Sequence, residues 1–369
     1  MPLLSKSVSV RLRPSSGDRS YRIAIQPGIL GSLADRKTKS EGKVFIITDE
    51  TVGRLYGRAV QKEFVGKGNE AVLLDFPPGE RSKNYRTVNA LHTQLLRNGI
   101  GRDSLIVALG GGVVGDVAGY VAATILRGVP FIQVPTTLLA QVDSSVGGKV
   151  GIDHPLGKNL IGAFHQPTAV YIDPDVLRTL SIKEYRNGLA EVVKIAAALD
   201  RRFFNYIEQQ EKQIRKRNPR VVLELIHRAV TIKAAVVMKD EKEAGLRKVL
   251  NLGHTIGHAV EAATDFRLKH GEAVAIGLAT EARIALEMGV MMKKEYERLV
   301  ALLGAFRLPI RFPSRMNTRR FLAALSADKK GEGGRTKFVL LKRIGQPVVG
   351  VEVPSPFIVA MLRNAYRNR

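Results

Sequence analysis

A chain of 369 residues, 45% hydrophobic and 25% charged, has the composition of a globular enzyme and the length of two domains. It has no cysteine, which excludes disulfides and thiolate metal sites, so any transition metal must be held by histidine and carboxylate. No apolar run approaches the roughly eighteen residues a spanning helix needs, and the start MPLLSKSVSVRLRP has no apolar signal core, so a cytoplasmic protein is expected.

The formal net charge of +24 leaves three readings: nucleic-acid binding, an acidic small-molecule substrate, or a basic background. Basic residues are spread from Arg36–Lys39 through Lys212–Arg220 to Lys329–Arg335, without aromatic interleaving or zinc-finger spacing. A solvated basic surface with no specific nucleic-acid partner is the expectation.

In chain order, Val8–Leu12 and Tyr21–Ile25 alternate as strands, and Lys43–Thr48 is a continuous apolar strand ending at Asp49, with a helix from about Val52. Ala71–Leu74 reads as a strand, Ser82–Asn98 as a helix, Ser104–Leu109 as a strand running into glycines and an apolar helix, and Pro130–Val134 as a strand. Strands separated by helical patterns indicate βαβ units and a mostly parallel sheet. Beyond Asp173–Pro174 the pattern turns helical: Pro174–Leu180, Lys183–Leu199, Arg201–Lys212, Pro219–Lys239, Leu252–Ala263, Gly271–Met288 and Lys293–Leu303. A hairpin is expected over Lys337–Leu341 and Pro347–Val351, turning at Ile344–Gly345, and a closing helix over Ser355–Asn368. The fold class expected is an α/β dinucleotide-binding domain with a mostly parallel sheet (residues 1–175), followed by a mainly α-helical domain for metal and substrate (176–369).

Leu105–Ala118, LIVALGGGVVGDVA, is strand, glycine turn and helix start. Its glycines let the backbone approach a pyrophosphate, and the helix start offers free N–H groups at a positive dipole end. The loop lacks the Lys-Ser/Thr of a Walker loop, which argues against ATP chemistry. Asp49 at a strand end could hold a ribose hydroxyl, and the turn Gly79–Lys83 adds further polar groups. A second polar, glycine-rich stretch, DSSVGGK (Asp143–Lys149) with GKN (Gly157–Asn159), suits an anion or several hydroxyls.

Asn251–Gly271 holds three of the seven histidines. His254 and His258 are four apart, hence on one helix face; His270 opens the next helical run, and Glu261 and Glu272 lie near. A metal site, an acid/base site, or capping and core histidines all fit this spacing.

The run from ALGGGVVGDVAG to LGKNLIGAFHQP, then GLAEVVK, DEKEAGLRKVLNLGHTIGHAVE and KHGEAVAIG, resembles 3-dehydroquinate synthase of the sugar-phosphate cyclase superfamily, collinear from about Asp49 to Leu340–Gly345. The resemblance implies a homodimer using NAD and zinc (or cobalt). It implies conversion of 3-deoxy-D-arabino-heptulosonate 7-phosphate to 3-dehydroquinate and phosphate by oxidation at C5, elimination, reduction, ring opening and aldol closure, in the shikimate pathway. By position, Glu191, His254 and His270 resemble the metal ligands. Asp143, Lys149, Asn159 and Lys194 resemble the residues around the ring hydroxyls, and Lys233 and Arg247 the carboxylate clamp. Asn251, His258 and a lysine of the Lys329–Lys330 pair, Lys330 being taken, resemble phosphate contacts, and Arg127 an arginine that reaches the neighbouring subunit. Asp49, Glu80, Lys83, Gly111, Gly112, Asp116, Thr136, Thr137, Lys158 and Thr179 are carried to the NAD side.

Three rivals stand beside this reading. Other cyclases of the superfamily act on sedoheptulose 7-phosphate or glucose 6-phosphate, which lack the carboxylate that Arg247 would grip. A metal-dependent polyol dehydrogenase would release NADH. A basic nucleic-acid-binding protein with a decayed site would lack the polar residues present here.

Overall fold

The computed structural model describes residues 4–12, 19–36, 42–330, 336–354, 357, 358 and 362, the side chains of 327–330 excepted. In chain order the elements are β1 (Lys6–Val10), β2 (Tyr21–Ile25), β3 (Val44–Asp49), α1 (Glu50–Val52), α2 (Arg58–Gly66), β4 (Ala71–Phe76), α3 (Tyr85–Arg97), β5 (Leu105–Gly110) and α4 (Gly112–Thr124). Next come β6 (Phe131–Pro135), β7 (Lys149–His154), β8 (Gly157–Phe164), β9 (Ala169–Ile172), α5 (Ile182–Leu199), α6 (Arg201–Arg215) and α7 (Pro219–Lys239). The chain closes with α8 (His254–Ala263), α9 (His270–Glu287), α10 (Lys293–Ala305), α11 (Thr318–Lys330), β10 (Lys337–Arg343) and β11 (Gln346–Glu352).

Two compact units result: residues 1–181 with 222–242, and residues 182–221 with 243–369. Most of α7 therefore belongs with the first unit, although the sequence groups it with the helical half. In the first unit a seven-stranded sheet runs β1-β2-β9-β6-β5-β3-β4. All its neighbours are parallel except β1 with β2. The two faces of β3 explain its unbroken apolar run. Phe45 and Ile47 pack with Val117 and Val121 of α4 on one side, while Val44 and Ile46 pack with Ile29, Leu33 and Phe64 on the other. A strand buried on both faces loses the alternation that marks a half-exposed one.

Several elements depart from the sequence reading. The polar stretch around Lys149 and Gly157–Asn159 is a hairpin, β7 against β8. Its glycines hide the pattern but serve the pairing: Gly151 faces Gly162, and a Cβ on either would lie 2.5 or 2.3 Å from a carbonyl oxygen of the facing strand. β9 and α11 are further elements that the spacing does not announce. β9 is four residues long, and α11 buries only Phe321 and Leu325 among its described side chains. β10 and β11 pair as expected, with the turn at Ile344 and Gly345. The helix expected over Ser355–Asn368 falls almost wholly outside the described residues.

The second unit is mainly helical, with α8 packed on α9 and α5 on α9. α8 and α9 approach closely because Gly277 has no side chain: a Cβ there would sit 1.8 Å from the carbonyl oxygen of Gly253. Among the described residues no helix is long and apolar enough to cross a membrane.

Candidate functional site

In the first unit the glycine turn joins β5 to α4. Gly111 is the extended N-cap of α4 and no side chain caps that helix, so its first N–H groups are left for a ligand. Beside it, Thr136 is 5% exposed and its Oγ1 has no hydrogen-bond partner among the described residues. An orphaned buried hydroxyl next to an uncapped helix start fits a polar ligand such as a dinucleotide. Thr137 Oγ1 is engaged, accepting from the Ala140 N–H at 3.2 Å. Asp49 caps α1, its Oδ1 accepting from Thr51 N at 2.9 Å and Val52 N at 3.0 Å. Thr179 Oγ1 lies 2.6 Å from the hydroxyl of Tyr56, a residue no sequence signal picked out.

Lys83 is the hub of this region. Only 5% exposed, its Nζ lies 2.5 Å from Asp116 Oδ2 and donates to Asn159 Oδ1. Burial alone would lower its pKa, but Asp116, Glu80 and Asp153 outweigh that and hold the ammonium above its ordinary range. Asn159 has φ 56 and donates its backbone N–H to Asp153 Oδ1 at 2.9 Å. Glu80 Oε1 sits 3.7 Å from Lys158 Nζ. Two residues assigned to different ligands, Lys83 and Asn159, thus form one network. Asp143 is likewise paired: Lys233 Nζ, on α7, lies 2.6 Å from its Oδ1 and 2.6 Å from its carbonyl oxygen. Lys149 opens β7 with an exposed side chain, and exposed Arg127 has φ 67 in the turn after α4.

In the second unit, Glu191 lies in the middle of α5, while His254 and His270 are the first residues of α8 and α9. Their Nε2 atoms stand 3.7 and 3.4 Å from Glu191 Oε1. Two ligands at about 2.0–2.1 Å from a tetrahedral ion are roughly 3.3 Å apart, close to this spacing. Glu191 is 0% exposed, yet neither of its oxygens accepts a hydrogen bond from a described residue. Lys194 Nζ lies 2.5 Å from Oε2, an ion pair without hydrogen-bond alignment. A buried carboxylate lacking hydrogen bonds beside two imidazoles is a donor set suited to a divalent cation.

The electrostatics agree. Burial would raise Glu191, but Lys194 and the two imidazoles outweigh it and hold the carboxyl well below its usual range. Burial, then Lys194, push His254 well below the usual imidazole value, which leaves it neutral as a metal ligand must be. Its Nδ1 is 3.3 Å from the carbonyl oxygen of Leu252, which fixes the tautomer with Nε2 facing Glu191. His270 goes the other way: burial lowers it, but Glu191 and Glu261 raise it to about 10, so positive charge is favoured at that spot. Glu261 Oε2 lies 3.5 Å from His270 Nδ1, where a carboxylate would steady the ring of a metal ligand. His258, Glu261 and His270 form a second close triple, and the ring of exposed His258 is 5.2 Å from that of His254. The orphaned oxygens favour the Glu191 triple.

Arg247 is 3% exposed and Asn251 half-buried, both in the 3-10 turn Leu246–Asn251. Asn251 Nδ2 donates to Glu243 Oε1 at 3.0 Å. Arg247 and Lys233 fall in different units. The side chain of Lys330 lies outside the described residues. Glu261, seven residues after His254, shares its helix face and was legible by spacing; Glu243 carried no such signal.

Two consecutive family models, 3-dehydroquinate synthase N-terminal and C-terminal, match residues 73–187 and 188–331. The 3-dehydroquinate synthase of Pelobacter propionicus is 48% identical over 336 residues, 90% of this chain and 93% of its own. That of Nostoc punctiforme is 45% identical over 351 residues, 94% of this chain and 97% of its own. The chain belongs to the 3-dehydroquinate synthase family. Among solved structures, 2-epi-5-epi-valiolone synthase from Streptomyces hygroscopicus, with NAD+ and Zn2+ bound, superposes at a TM-score of 0.87 and 29% identity, covering 95% of this chain and 97% of its own. A 2-deoxy-scyllo-inosose synthase complexed with carbaglucose-6-phosphate, NAD+ and Co2+ gives 0.88 at 27%, covering 97% and 100%. An iron-containing alcohol dehydrogenase from Thermococcus thioreducens, at 0.68 and 19% over 95% of this chain and 99% of its own, shares the fold alone.

Proposed function

We propose that this chain is a 3-dehydroquinate synthase of the shikimate pathway, which converts 3-deoxy-D-arabino-heptulosonate 7-phosphate to 3-dehydroquinate and phosphate with a retained NAD and a divalent metal, zinc or cobalt. The observation that carries it is the match to both family models, with 48% and 45% identity to synthases over nearly the whole chain. The 2-epi-5-epi-valiolone synthase and the 2-deoxy-scyllo-inosose synthase are similar at 29% and 27%.

Glu191, His254 and His270 hold the metal, their nearest donor atoms 3.4 and 3.7 Å apart. Gly111, Gly112, Thr136, Thr137, Lys83, Asp116 and their neighbours hold the nucleotide. Bound NAD would supply reversible hydride transfer and the metal would supply polarisation of the oxygen concerned, with no net oxidation. The chain's own residues orient the substrate and stabilise charge. Lys194 neutralises the buried Glu191 on one side and presents an ammonium to a hydroxyl. Arg247, buried, offers a planar fork to the carboxylate. Lys149, Asn159, Asp143 and Lys233 position ring hydroxyls and the acid end, and Asn251, His258 and Lys330 meet the phosphate. Arg127, exposed on its left-handed turn, acts in the partner of a homodimer. The enzyme works in the cytoplasm.

The test is incubation with the heptulosonate phosphate and a trace of NAD+, following phosphate and dehydroquinate together. Equal amounts of both, far exceeding NAD+, are expected; stoichiometric NADH, or phosphate without dehydroquinate, overturns the reading.

A further inference from the structure

Both histidines of the proposed metal centre stand at a helix start, and neither N-cap residue is a Ser, Thr, Asp or Asn. A helix usually satisfies its first N–H groups with a Ser, Thr, Asp or Asn at the N-cap. Here the N-cap of α8 is Gly253, φ 80, with no side-chain cap, while that of α9 is Lys269, whose own N–H is taken by Glu272 Oε2 at 2.8 Å but whose side chain is no Ser, Thr, Asp or Asn.

Apart from Glu272, the side-chain acceptors at these two starts come from other helices and are buried. Glu281, on α9 and 0% exposed, accepts from Gly253 N at 2.6 Å through Oε2 and from Ile256 N at 3.2 Å through Oε1. It therefore grips the backbone on both sides of His254. Asn187, on α5 and 8% exposed, accepts at Oδ1 from the N–H of Gly271, the residue after His270, at 2.6 Å. Its Nδ2 in turn donates to Glu184 Oε2 at 3.2 Å, and Glu184 Oε1 pairs with Lys269 Nζ at 2.7 Å. His270 is thus held from both flanks by the first turns of α5, the helix that carries Glu191. The backbone contacts leave no slack, since a Cβ on Gly271 would lie 2.0 Å from the carbonyl oxygen of Asn187.

We propose that Glu281 and Asn187 are positioning residues of the metal centre: by capping α8 and α9 from a distance, they hold the backbone of His254 and His270 so that both Nε2 atoms meet Glu191. This rests on the reading of Glu191, His254 and His270 as the metal ligands. A local cap would hold each helix end to its own loop. A cap donated by a neighbouring helix holds it to that neighbour, and α9 and α5 carry the other two ligands, His270 and Glu191. Metal sites depend on their supporting residues being placed within about 0.5 Å.

The test uses the full chain, stripped and titrated with Co2+ in competition with a chromophoric chelator, recording visible absorption of the bound ion. Glu281→Gln keeps shape but withdraws one of the two acceptors, and Asn187→Ala removes the other cap. Each is expected to weaken Co2+ binding about tenfold or more and to change the band positions. Glu287→Gln, at a residue paired with Arg283 on the exposed face of α9, is expected to leave both unchanged. If the two capping variants lower the melting temperature but retain wild-type Co2+ affinity and spectrum, the residues serve only the fold and the inference falls. If His270→Ala keeps Co2+ in the same titration, the ligand reading itself fails, an outcome distinct from the former.

Discussion

Lys83 and Glu191 are both charged and buried, one in each unit, and the fold treats them differently. Lys83 is closed off by its own neighbours, with Asp116 and Asn159 both on Nζ. Glu191 faces Lys194 and two imidazoles, yet both its oxygens lack a hydrogen bond from the described residues. In the first network the charged and polar groups are already paired with one another, so besides their proposed ligand role they brace the loop and hairpin around them. The second is a set of donor atoms at ion-binding spacing, which a cation would complete. A buried charge with partners can thus be structurally satisfied or still open to an ion; what tells the two apart is whether its lone pairs are used.

Substitutions separate the two cases. The largest effect is expected at the incomplete cluster: His270→Ala should remove bound zinc and dehydroquinate formation together, measured by metal analysis and product assay. An active, zinc-replete variant would cancel the contrast. Next comes Arg247→Ala, which leaves the substrate carboxylate short of a desolvated partner. A loss of about 2–5 kcal/mol, roughly 30- to 5,000-fold in kcat/KM, is expected from steady-state kinetics. At the paired cluster an effect on stability is expected beside any on nucleotide binding. Lys83→Met should cost about 3 kcal/mol in denaturant unfolding, the low end for a broken buried pair because Asp116 keeps 21% side-chain exposure. Adding Asp116→Leu should recover part of it, whereas no second substitution should restore metal to His270→Ala.

Much of this was legible in the sequence. The period-two and 3.6-residue patterns give the parallel sheet and the helical half, and the turn at Ile344–Gly345 falls where expected. The hairpin of β7 and β8 was not, because the facing glycines 151 and 162 that allow its strands to touch also erase their alternation. At the site, the spacing of His254 and His258 suggested a pair on one face, and their rings are indeed 5.2 Å apart. Spacing could not reveal that Glu191, over sixty residues earlier, comes 3.7 Å from His254 Nε2. The caps from Asn187 and Glu281 are equally long-range, so no local pattern announces them.

The smallest effect lies away from both clusters. Burial would raise Glu295, but Arg201, at 2.8 and 2.9 Å, and the Ile344 N–H, at 2.9 Å, outweigh it and lower its pKa. A carboxyl lowered on folding stabilises the protein above its unfolded pKa of about 4.3, and that contribution fades as pH falls through the folded value. The melting-temperature gap between wild type and Glu295→Gln should therefore be widest near about pH 7 and narrow towards about pH 3. A gap independent of pH would remove the ion pair from the account.

The central claim is that Glu191, His254 and His270 form one centre. X-ray absorption of the zinc-loaded protein, in wild type and in Glu191→Gln, tests it most directly. The account predicts two imidazole nitrogens and a carboxylate oxygen at about 2.0–2.2 Å in the wild type, and loss or rearrangement of that shell in the variant. A shell with three imidazoles, or one unchanged by Glu191→Gln, would contradict it.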